Sequence, residues 1–229
     1  MRGVTAMAPR LFVYKMTVDN GGAPCVVKSL LSLAICKPAI RRSATEGDLI
    51  FGFGANPVPM SNRLIYIAEV SKDSKELTDG DYYRLPRYAL RPDCIYEWTG
   101  DGKFRRRSGA RFHTHQDLIR DLGAFPSYKN AAVLLSQDFR YFGCKGSCEY
   151  MEAYTRLGQY VRALRRNHRV NHDEELYSEL LRLKAQVWKC YPQRMSIGSP
   201  TDPHDCRPCN ADDPTACVEG KGVRHFSHD

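Results

Sequence analysis

Two thiols sit where a thiol could react. Cys25 follows the turn Asp19-Asn20-Gly21-Gly22-Ala23-Pro24, and Cys36 directly precedes Lys37. A cysteine near cations can lose its proton close to neutral pH, and the thiolate is the nucleophile. Neither has a histidine near it in sequence, so an imidazole partner must be brought by the fold, with His113 and His115 as candidates. The first catalytic set to test is Cys25 with Lys15, Asp19 and Asp138, groups able to act as nucleophile, acid or base. The plainer reading of each cysteine is a small buried hydrophobe. A second constellation lies in the tail, where Cys206-x-x-Cys209, Cys217 and His225 have types and spacings that suit tetrahedral zinc. The tail is poor in apolar residues, so a structural zinc would supply its order. Hydrolase elbow, phosphate-binding loop, dinucleotide fingerprint and zinc-deaminase pattern are all absent from the sequence.

Other residues suit recognition of a nucleic-acid base, which needs flat apolar surface for stacking and a few polar groups for the base edge. Asn20, Lys37, Arg41, Arg42 and Asn56 cluster at expected strand ends. Tyr82, Tyr83 and Trp98 could stack on a base, and Arg140 and Tyr141 follow a late strand. The run Arg105, Arg106 and Arg107, in a glycine-bearing loop, suits phosphate contacts. Against this stands the simpler assignment of aromatics to core and charges to solvated loops.

The elements that must position these residues are short. Leu11 to Val18, Leu49 to Phe53, Arg63 to Val70, Ile95 to Trp98, Ala131 to Ser136 and Phe139 to Phe142 read as strands. Cys25 to Ile35 suits either a short helix or a strand. The nearly continuous apolar run RLIYIAEV predicts a strand in a sheet covered on both faces. After Gly146 the pattern changes to helical spacing. One amphipathic helix is expected over Glu149 to Leu164, and another from a cap at Asn171, with Leu176, Leu180, Leu183 and Val187 as its buried stripe. The expected organisation is a domain over 1–148, a two-helix extension over 149–198 and an irregular Cys/His-rich tail over 199–229.

The 34 Lys and Arg outnumber the 26 Asp and Glu, for a net charge of +8, and the tail is acidic, so the body is more basic than the whole. A clustered basic body suits a polyanion such as nucleic acid. Mean hydropathy is −0.49, and no apolar run approaches the ~20 residues that span a bilayer. The N-terminal apolar stretch is too short for a signal-peptide core, which gives an expectation of a cytoplasmic protein with no membrane partner and with reduced thiols.

The blocks LFVYKMTVDNGGAPCV, LLSLAICKPAIRRSA, GDLIFGFGAN, RLIYIAEV, RPDCIYEW and VLLSQDFRYFG together resemble the second type of nucleotide-modification-associated domain, over roughly residues 10 to 145. The strand pair GDLIFGFGAN and RLIYIAEV also resembles the PUA-like superfamily, in its EVE and YTH branch. The resemblance implies an α+β fold built on a small PUA-like β-barrel with flanking helices and a helical C-terminal extension. It also implies a place in DNA base hypermodification. Three functions follow in order: a protein that binds a base in nucleic acid, DNA foremost, or a nucleotide; an enzyme of the same pathway acting on the base; and a zinc-stabilised adaptor for other base-modification proteins.

Overall fold

The computed structural model describes residues 8–55, 61–78, 80–165, 167–193 and 195–200. Asn56 and the tail residues Cys206, Cys209, Cys217 and His225 lie outside the described residues, and the zinc expectation with them. In chain order the strands are β1 (Leu11–Met16), β2 (Cys25–Val27), β3 (Leu30–Leu33), β4 (Leu49–Gly54), β5 (Leu64–Glu69), β6 (Tyr96–Trp98), β7 (Phe104–Arg106), β8 (Leu134–Ser136), β9 (Asp138–Tyr141), β10 (His168–Arg169) and β11 (Met195–Ser196). The α-helices are α1 (Pro38–Ser43), α2 (Asp81–Arg84), α3 (Leu118–Leu122), α4 (Tyr150–Ala153), α5 (Thr155–Ala163) and α6 (Glu174–Cys190).

The largest sheet has the order β10-β1-β4-β5-β9-β11. β1 and β4 run parallel, with Leu11 opposite Leu49, and β5 is antiparallel to both β4 and β9. These strands are apolar on alternate and intervening positions alike because both faces are covered. Leu11, Val13, Phe51, Phe53 and Ile67 pack against Leu157 and Val161 of α5 and Leu176, Leu180, Leu183 and Val187 of α6. Phe12, Tyr14, Met16, Ile50, Tyr66, Phe139 and Tyr141 face the other way, toward Leu31 and Leu33 of β3, Leu134 of β8 and Ile40 of α1. Each fully buried Leu or Phe contributes about 1.5–3 kcal/mol by removal from water. Gly52, in β4, lies against the Tyr66 ring at a shift of register, where a Cβ would fall inside contact distance of that ring.

A second sheet, β2-β3-β8, is wholly antiparallel, and only Gln137 separates β8 from β9 of the large sheet. Cys25 to Ile35 is thus a hairpin rather than a helix. A third sheet is the hairpin β6-β7, and its Tyr96 and Phe104 join Tyr82, Tyr83, Tyr88 and Phe112 in a separate aromatic core. The α+β class holds, whereas no closed barrel forms among the described residues. The large sheet ends in the two-residue strands β10 and β11, which pair with β1 and β9 and not with each other. Closure would need them to meet.

The expected helix over 149–164 is two helices, α4 and α5, divided at Tyr154 with φ −129°. The cap of α6 is Asp173 rather than Asn171, its carboxylate accepting from the Leu176 amide at 2.8 Å. Among the described residues no helix is long and apolar enough to cross a membrane.

Candidate active site

Between β3 and α1 the chain turns through two residues of left-handed backbone, Cys36 (φ 58°) and Lys37 (φ 44°), before Pro38 opens the helix. Non-glycine residues adopt this region at a cost, and such residues concentrate at functional sites. The turn is held from below by Arg41. Its guanidinium, 2% exposed, donates to the carbonyls of Cys36 (2.7 Å), Asp121, Asn130 and Ala132 (2.6 Å each). Arg41 therefore ties the Cys36 turn to the segment that carries α3.

That tie brings together three residues far apart in sequence. Cys36 Sγ lies 3.1 Å from His113 Nε2, and His113 Nδ1 lies 2.5 Å from Asp121 Oδ2. Asp121 is fully buried, and its other oxygen accepts from the Cys36 amide at 3.0 Å, while Tyr96 Oη donates to Oδ2 at 2.8 Å. His113 has left-handed backbone as well, at φ 55°. Burial opposes the imidazolium, but the hydrogen bonds and charges of Asp121 and Cys36 outweigh it and raise His113 from 6.5 to about 10. A thiol, an imidazole and an orienting buried carboxylate in this order are the parts of a nucleophilic triad.

The triad opens on a cavity of about 460 Å³. Its apolar wall includes Ile35, Met16 and the Phe112 ring, and its polar rim includes Thr17, Asn20, Lys37 and Arg120. This is a size and character suited to a small planar ligand.

The residues expected from sequence distribute as follows. Lys37 and Asn20 line the cavity, Asn20 also accepting from the Gly22 amide at 3.1 Å. Lys15 lies in an adjoining cavity and donates to Asn62 Oδ1 at 2.6 Å. Asp19 is buried and accepts from Tyr141 Oη at 2.8 Å. Cys25 is also buried, beside Asp93 and Arg91, and burial pushes its thiol up to about 12, so it stays a neutral packing group. Asp138 and Arg140 sit across the sheet, against Trp188 of α6, with the Arg140 guanidinium 4.4 Å from the indole ring.

Tyr82 and Tyr83 offer no stacking surface: both are buried, their hydroxyls donating to Asp93 and to the Ala34 carbonyl at 2.7 Å. Trp98 is 42% exposed, but its face is covered by the Arg84 guanidinium at 3.9 Å. Arg105 pairs with Glu97 at 2.6 Å, Arg106 donates to the Ala110 and Phe112 carbonyls, and Arg107 to that of Tyr96 at 2.9 Å. Arg42 is exposed on α1. Sequence reasoning ranked Cys25 ahead of Cys36 and passed over Asp121. One signal was available: Asp121 stands three residues after Leu118 and one before Leu122, a carboxylate on the apolar stripe of a short helix.

No curated protein and no solved structure matches the chain. The family model described as nucleotide modification associated domain 2 matches residues 8–203, which include β1 through β11, the triad and both cavities. The chain belongs to the nucleotide modification associated domain 2 family.

Proposed function

We propose that the protein is an enzyme of base or nucleotide modification that uses Cys36 as a covalent nucleophile. The observation that carries the reading is the Cys36–His113–Asp121 chain of contacts at 3.1 and 2.5 Å, whose thiol and imidazole line a cavity of about 460 Å³. A purely base-reading protein has no need of a thiol in hydrogen-bond contact with an oriented imidazole.

In this mechanism His113 holds the proton that it shares with Cys36 Sγ, and buried Asp121 stabilises the resulting cation. The sulfur electron pair attacks an electrophilic carbon of the base, and an S–C bond forms. The electron pair displaced from that carbon moves to the adjoining nitrogen or oxygen, which takes the proton from His113 Nε2. A second nucleophile, such as water, then bonds to that carbon as the S–C electron pair returns to sulfur, and gives its proton to the imidazole. The nucleophile and a proton are thereby added across the original double bond, and the thiolate–imidazolium pair is restored. Asn20 and Thr17, on the cavity rim, can meet the base edge. Membership of the nucleotide modification associated domain 2 family contributes the ligand class here, a base or nucleotide.

The test is nucleoside composition. DNA from cells carrying the native protein or Cys36→Ser at equal levels is digested and resolved by mass spectrometry. A modified nucleoside, or its precursor, should change in amount with Cys36→Ser. Identical compositions would remove the enzyme reading and leave a binding protein.

A further inference from the structure

A second cavity, of about 410 Å³, adjoins the thiol cavity, and the two share Thr17 and Lys37. Lys15, Lys37, Asn167 and His168 supply its polar groups, above a floor that includes Pro38 and Ile40. Among the described residues no carboxylate lines either cavity. The Lys15 ammonium is met by an amide oxygen, Asn62 Oδ1 at 2.6 Å. The Lys37 ammonium lies 4.6 Å from the centre of the Tyr14 ring and 3.4 Å from the Lys15 carbonyl. Neither lysine pairs with a carboxylate among the described residues, and burial opposes the charge of both, offset at Lys37 only in part by the neighbouring Cys36. Partly buried cations with no paired carboxylate favour an anion brought from outside. The neighbouring His168 is kept toward its neutral form by burial, Arg169 and Lys37, so it adds a hydrogen-bond donor or acceptor without a further charge.

Resting on the reading of the first cavity as the base site, we infer that the second is a phosphate subsite, so that the substrate is a phosphorylated nucleotide and not a free base or nucleoside. Lys37, at the junction of the two cavities, would stand between the reacting base and its phosphate. The chemistry recognised is the phosphate group, whether on a free nucleoside 5′-monophosphate or at the end of a single strand.

The test is calorimetric binding to the full chain. The probes are inorganic phosphate, the four deoxynucleoside 5′-monophosphates, their nucleosides, and a short single strand with and without a 5′-phosphate. At least one monophosphate should bind roughly tenfold or more tightly than its nucleoside, with inorganic phosphate competing. Lys15→Gln and Lys37→Gln should each abolish that difference, and Lys37→Arg should retain it. Tighter binding of the phosphorylated strand than of the free nucleotide would support the subsite and select the strand as its source. Equal binding of nucleotide and nucleoside, a difference untouched by both lysine variants, or no binding of phosphate or any nucleotide at millimolar concentration would overturn it. Cys36 alkylation and its dependence on His113 report on the thiol reading separately, so either claim can fail while the other stands.

Discussion

His113 is the residue on which the proposed chemistry turns, because it touches both the thiol and the buried carboxylate. With its cation favoured in the fold, its folded-state value of about 10 lies above the ordinary 6.5. Its contribution to stability is therefore complete below about pH 6.5 and is lost as the pH rises through about 10. Urea midpoints from pH 7 to 10 should fall more steeply for the native chain than for His113→Gln; parallel curves would contradict the pairing. Asp121→Asn removes the carboxylate and should move the His113 titration, followed by NMR of the imidazole, down toward the ordinary histidine range. A titration unmoved by that change would show that Asp121 does not orient the ring. Little of this was readable beforehand. Cys36 stood out through its neighbour Lys37, and His113 as an available imidazole, but 77 residues separate them, and contacts of that span are fixed by the packed fold rather than by local pattern.

At the scale of elements, the sequence was most informative where apolar periodicity is strong. The strands β1 and β5 lie within the runs that predicted them, β4 ends one residue beyond its run, and the stripe Leu176, Leu180, Leu183 and Val187 of α6 is buried as its spacing required. Where several short elements share a run, local pattern was insufficient. Tyr154 divides one expected helix into two, and the Cys25–Ile35 run becomes a hairpin because β8 pairs with β3. Gly52→Ala should destabilise by roughly 1–3 kcal/mol, since the added methyl must displace the Tyr66 ring. Arg41→Met leaves four carbonyls, one buried and three partly buried, without this donor and should cost roughly 2–4 kcal/mol in urea unfolding. It should also slow Cys36 alkylation by loosening the turn. Native stability in either variant would show that the local packing is not as tight as these contacts imply.

Across the whole molecule, the C-terminal helices are part of one assembly with the strands. α5 and α6 cover the face of the large sheet that carries Leu11, Val13, Phe51 and Phe53, and β10 and β11 form its two edges. The family match crosses residue 148 without interruption. A chain ending at residue 148 should therefore lose cooperative unfolding and become protease-sensitive, and a cooperative, protease-resistant fragment would count against this packing. The expected barrel does not close among the described residues, because closure depends on which edges meet, and strand patterns say nothing of that. The most direct test of the central claim sets the six described cysteines, Cys25, Cys36, Cys94, Cys144, Cys148 and Cys190, in competition for one alkylating reagent. Peptide mass spectrometry after brief treatment with iodoacetamide at neutral pH gives a rate for each. Burial pushes Cys25 up to about 12 and Cys94 up to about 11, so both should react slowly. Cys36 should react fastest of the six, and His113→Asn should slow it by roughly tenfold or more while leaving the other partly exposed thiols, Cys144, Cys148 and Cys190, unchanged. A Cys36 rate no greater than that of Cys144, or one indifferent to His113, would contradict the account.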